Sequence, residues 1–100
     1  MPDPRIFPVP NANNGAVMVG LVSTLVLAAN PNRVDADLVN DGDNIIYLAR
    51  GEAAVMNSGI RLNPNGGSYH IGTNNLWEGT IYGISDNETN LVYSEGYNPR

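Results

Sequence analysis

The chain predicts an all-β single domain, an antiparallel β-sandwich or jelly-roll-like barrel with an extended N-terminal arm. Three observations carry this: short segments rich in Val, Leu and Ile recur along the chain, turn signals part them every ~8–12 residues, and no stretch shows a convincing helical period. With 100 residues there is room for one core and no second domain. The chain divides into an arm over residues 1–14, a β-domain over 15–96 and a short tail over 97–100.

The arm reads MPDPRIFPVPNANN, four prolines followed by three asparagines, which disfavours both helix and central strand. Ile6, Phe7 and Val9 lie in it, apolar side chains that gain little in a free tail. Either they pack on their own domain or they dock on a neighbour as an assembly contact, with a disordered terminus as the third alternative.

Residues 15–30 read GAVMVGLVSTLVLAAN, apolar enough to satisfy any period. The β-branched residues and the internal Gly20 favour one bent strand or two short ones over a helix. Asn30-Pro31-Asn32 makes a turn, and RVDADLV at 33–39 then alternates Val34, Ala36 and Leu38 with Arg33, Asp35 and Asp37. Asp41-Gly42 is a strong hairpin signal, so this strand is expected to pair antiparallel with IIYLAR at 45–50. After a loop of small residues come a short strand in SGIRL, a Pro-initiated turn NPNGG, and strands in SYHIG, GTIYGIS and NLVYSE.

Charged residues make up 15% of the chain while hydrophobic ones make up 42%, which describes a folded domain with a neutral surface rather than an acidic tail. There is no Lys, and the five cations are Arg5, Arg33, Arg50, Arg61 and Arg100. Arg is the cation favoured at interfaces. A formal net charge of −5 opposes binding to a phosphate backbone, so no nucleic-acid partner is expected. The absence of Cys excludes disulfides and thiolate metal sites. The N-terminus lacks the regions of a signal peptide and no apolar run reaches a membrane-spanning length, so synthesis in a cytosol and no membrane partner are expected.

Few residues offer chemistry. Asp41, Asp43, Asp35, Asp37 and Asn44 are the best hard-cation candidates, but they lack the full calcium-loop spacing and a plain turn explains the Asp-Gly pair; no metal and no cofactor are expected. His70 is the single histidine and no nucleophile elbow or paired His accompanies it. Gly66-Gly67 precedes a strand rather than a helix with a Lys, so it is not a phosphate cradle. A non-enzymatic role is therefore expected, with no catalytic residues. Trp77, in a loop, is the candidate for an exposed contact, with Tyr69, Tyr82, Tyr93 and Tyr97 as further aromatic surface; ordinary packing is the alternative.

The order of segments resembles small β-domain virion structural proteins of tailed bacteriophages. The carriers are NPNR at 30–33, NDGDNIIYL at 40–48, GIRL at 59–62, NGGSY at 65–69 and GTIYGIS at 79–85. In that family a strand ending in N-x-x-R leads to an N-x-G-x-x-x-x-Y-L-like hairpin, a G-I-x-L-x-P-G-G-S turn and a G-x-I-Y-A-I-like strand. This chain has Asn65 where the pattern has Pro, a departure that reads as a minor turn change. The resemblance implies a capsid decoration (cement) protein, made in the host bacterial cytoplasm and carried on the virion. Its partners would be the major capsid protein or other virion proteins, and it would be a homo-oligomer, with a trimer as the expected number. A tail or head–tail accessory module that binds carbohydrate or a receptor through Trp77 is the rival.

Overall fold

A computed structural model describes residues 11–98. Among them are eight strands: β1 (Asn11–Val19), β2 (Thr24–Leu27), β3 (Arg33–Asn40), β4 (Ile46–Arg50), β5 (Ile60–Leu62), β6 (Ser68–Ile71), β7 (Ile81–Ser85) and β8 (Thr89–Tyr97). They form two antiparallel four-stranded sheets, the first ordered β1-β8-β3-β6 and the second β2-β7-β4-β5. The molecule is thus the all-β sandwich that the turn spacing and alternation predict.

Alternation places the core. Leu38 of β3, Leu48 of β4, Ile71 of β6, Ile81 of β7 and Leu91 of β8 point between the sheets and are fully buried. A bulge in the β3–β8 pairing between Arg33 and Asp35 turns Arg33 inward along with Ala36. Gly83 keeps the centre of β7 small where Val19, Val26 and Leu48 converge, since a Cβ there would lie 3.3 Å from Val26 Cγ2.

Among the described strands only β4 and β5 are consecutive partners; every other connection crosses from one sheet to the other. This corrects the expected hairpin at Asp41-Gly42, because β3 pairs with β6 and β8 whereas β4 pairs with β5 and β7. A two-residue hairpin of the favoured type needs φ > 0 at both central residues, and neither Asp41 nor Gly42 adopts it. Gly42 serves a close approach instead: a Cβ there would fall inside contact distance of Thr89 Oγ1 and 3.0 Å from the Asn90 nitrogen.

Two boundaries also move. Residues 11–14 are not arm but the start of β1, with Asn11 opposite Tyr97 and Asn14 opposite Ser94. Tyr97 is the end of β8 rather than the start of a tail, because β8 is held along its length between β1 and β3. Residues 15–30 form two strands on different sheets, parted at residues 20–23, where the Gly20 carbonyl accepts from the Ser85 N–H at 2.8 Å.

Buried polar groups close the two ends of β3. At its start the Arg33 side chain, 0% exposed, donates from Nε to Glu95 Oε2 at 2.6 Å, from one terminal nitrogen to the Trp77 and Gly79 carbonyls at 2.8 and 3.0 Å, and from the other to the Ala28 carbonyl at 2.7 Å. It ties β8 of the first sheet to the segments that flank β2 and β7 of the second. At its end the Asn40 amide, also 0% exposed, donates to the Asn44 and Leu62 carbonyls at 2.6 and 3.1 Å and accepts from the Gly42 N–H and Thr89 Oγ1 at 3.1 and 3.2 Å. Among the described residues no buried side-chain nitrogen or oxygen lacks a partner.

The NPNGG turn joins this second end. Asn65 adopts φ +60°, and its N–H donates to the Gly42 carbonyl at 2.8 Å. Proline can do neither, so Asn65 is more than a minor variant of a Pro-Gly-Gly turn.

Candidate functional site

The most distinctive surface lies where β1 hands over to β2. Leu21 and Val22 are adjacent in sequence and 70% and 74% exposed, and Leu25 follows on the outer face of β2 at 45%. Met18, the outward residue near the end of β1, is 56% exposed. The β4–β5 loop adds to them: the Ala54 N–H donates to Ser23 Oγ at 2.8 Å, which carries Val55, 61% exposed, to the same corner. Exposed apolar side chains scattered singly are ordinary, but neighbours gathered at one corner mark an interaction surface.

The geometry explains why these side chains stay outside. An alternating strand buries one of two adjacent residues at most, and the break at residues 20–23 serves the crossing between sheets. The loop is pinned as well as placed, since Tyr47 Oη donates to Asn57 Oδ1 at 3.1 Å and Asn57 sits at φ +65°. Acidic charge borders the corner: a Cβ on Gly20 would lie 3.6 Å from Glu88 Cγ. From sequence, residues 15–30 are expected as one bent strand or two short ones, which leaves the exposure of Leu21 and Val22 unassigned. The readable signal was the Leu21-Val22 doublet between Gly20 and Ser23, too apolar for a turn and too irregular for a strand.

The outer face of the first sheet is different. His70, Asp37, Ser94 and Asn14 stand in register across all four of its strands. His70 Nδ1 lies 2.6 Å from Asp37 Oδ1, and Ser94 Oγ donates to Asn14 Oδ1. Asp37, not the imidazole, stands between His70 and Ser94, so the row lacks the nucleophile–base contact of a hydrolytic triad. Asp35 accepts from the Gly96 N–H at 3.0 Å, and among the described residues no three His, Asp or Glu side chains gather to hold a metal ion.

Trp77 is partly buried and packs against the core cluster. Its Nε1 donates to the Thr80 carbonyl at 3.0 Å, the Arg50 guanidinium stands 5.6 Å from the ring centroid, and Gly79 lets the ring approach within what would be 2.7 Å of a Cβ. The tyrosines do not assemble around it: Tyr69 and Tyr93 pack against the core from the first sheet, while Tyr82 faces Leu25 and Ala49 on the outer side of the second. Ile6, Phe7 and Val9 lie outside the described residues. Among the described residues no helix is long and apolar enough to cross a membrane. Compared with protein-family models, curated proteins and solved structures, the chain matches none.

Proposed function

We propose that this chain is a non-enzymatic structural module of a bacteriophage virion, a capsid decoration (cement) protein that binds the assembled shell and stabilises it. The observation that supports the assembly part is the apolar corner of Leu21, Val22, Leu25 and Val55 on an otherwise satisfied sandwich. The virion part is supported by the resemblance of the segments from Asn30 to Ser85. A subunit that binds the finished shell and not its free parts stabilises the shell by mass action, through its own binding free energy.

The rival, a carbohydrate- or receptor-binding accessory module, loses support at its named platform. One side of the Trp77 ring carries Arg50, and the indole N–H is spent on Thr80, which leaves little aromatic face for a sugar to stack on.

Quantitative mass spectrometry of purified particles tests the proposal. A decoration protein is present in fixed ratio to the major shell protein, and particles that lack it lose heat resistance. A few copies per particle, or glycan binding abolished by Trp77→Ala, would favour the rival.

A further inference from the structure

We infer that the apolar corner of one copy receives the N-terminal arm of a second copy, with Ile6, Phe7 and Val9 seated on Leu21, Val22, Leu25 and Val55. This rests on the reading of the chain as an assembly module and names the partner of that surface.

Reach keeps Phe7 and Val9 of the same chain away from Leu21 and Val22. β1 starts at Asn11 and ends at Val19, eight residue steps or about 27 Å away. The corner lies at the Val19 end: Leu21 and Val22 follow it directly, and β2 begins level with it, since Thr24 pairs with Gly83 and Val19 Cγ2 lies 3.4 Å from where a Gly83 Cβ would stand. From Asn11, a fully extended chain carries Ile6 at most about 18 Å, Phe7 about 14 Å and Val9 about 7 Å. Phe7 and Val9 therefore fall well short of Leu21 and Val22 in their own chain. A second copy has no such limit.

Chemistry selects the arm as the occupant. Its three large apolar side chains match an exposed surface of Leu and Val, and its prolines lower the entropy lost on ordering. Arg5 directly precedes the apolar run, and Glu88 borders the corner beside Gly20, so the charges at the edge of the contact are complementary. Arm and corner are different surfaces of one molecule, so the contact is head-to-tail. It closes into a ring where the rotation between copies permits, as a trimer requires.

Sedimentation equilibrium of the full chain over a range of concentrations tests the inference. The native chain self-associates, whereas the arm variant Ile6→Ser/Phe7→Ser/Val9→Ser and the corner variant Val22→Asp each weaken association by about tenfold or more. Circular dichroism of both variants stays native, because Val22 is 74% exposed and the three arm positions precede β1. Each variant keeps the surface the other has lost, so mixing the two yields a one-to-one heterodimer and nothing larger. Glu88→Arg weakens association, and Arg5→Glu in the same chain restores it.

The inference is overturned if the native chain stays monomeric, if the arm variant associates like the native chain, or if the mixed variants stay apart. Pelleting with shells separates it from the broader proposal. Loss of shell binding in the arm variant, with self-association intact, would place the arm on the shell and overturn the inference alone. Absence of shell binding by a chain that self-associates through the corner would overturn the decoration reading alone.

Discussion

The two ends of β3 solve one problem with different chemistry. At each, the chain crosses between sheets and leaves main-chain carbonyls inside that need donors. Arg33 supplies a charged donor that requires a carboxylate, and it finds Glu95, itself 6% exposed. Asn40 supplies a neutral amide that donates twice and accepts twice without any charge. The charged solution carries a larger desolvation cost, so it depends on every partner being present. The neutral one reaches Leu62 of β5 and Thr89 of β8 as well as its own loop, mostly through main-chain partners.

That contrast can be broken from the Arg33 side first. Arg33→Met leaves Glu95 buried without its cation and is expected to cost about 3–5 kcal/mol. In thermal unfolding this is a fall of roughly 4–8 °C per kcal/mol for a domain of this size. Adding Glu95→Gln removes the uncompensated charge and recovers part of the loss, while the Ala28, Trp77 and Gly79 carbonyls stay without their donor. A double mutant no more stable than Arg33→Met would show that the carboxylate is not the main liability.

At the other end Asn40→Leu is expected to cost about 2–4 kcal/mol, from buried groups left unpaired at about 1–3 kcal/mol each. Here no second substitution recovers much, because Asn44, Leu62 and Gly42 contribute main-chain atoms. Recovery by Thr89→Val alone would contradict this. Asn65→Pro attacks the same end through the backbone, at about 2–4 kcal/mol from strain and a lost hydrogen bond, while Asn65→Gly stays within about 0.5 kcal/mol in urea titration. Gly42→Ala is smaller, about 1–3 kcal/mol, since Thr89 must shift to admit the methyl group. Val22→Asp, at the exposed corner, is smallest, within about 0.5 kcal/mol.

Local chemistry made much of the molecule legible in the sequence. Alternation in residues 33–39, the β-branched runs and the turn residues at 30–32 and 63–67 each express a preference of a few neighbouring residues, and the sandwich follows from many of these agreeing. A strand's identity is local in this sense. Its partner is not, which is why Asp41-Gly42 looked like a hairpin and is a crossing: the buried amide of Asn40 and the close packing of Gly42 on Thr89 outweigh turn preference.

The same division governs the surface. That Leu21, Val22 and Leu25 are apolar is written in the chain, but their exposure follows from where the two sheets end, and Val55 joins them through a loop that Ser23 and Tyr47 hold from other parts of the chain. The sequence by itself determined an all-β domain of one core, with a neutral surface and an apolar, proline-rich N-terminus. Tertiary structure alone decided which strands pair, which polar side chains go inside, and which apolar ones stay out. Pairing and burial are settled between residues far apart in the chain, where local preference carries no information.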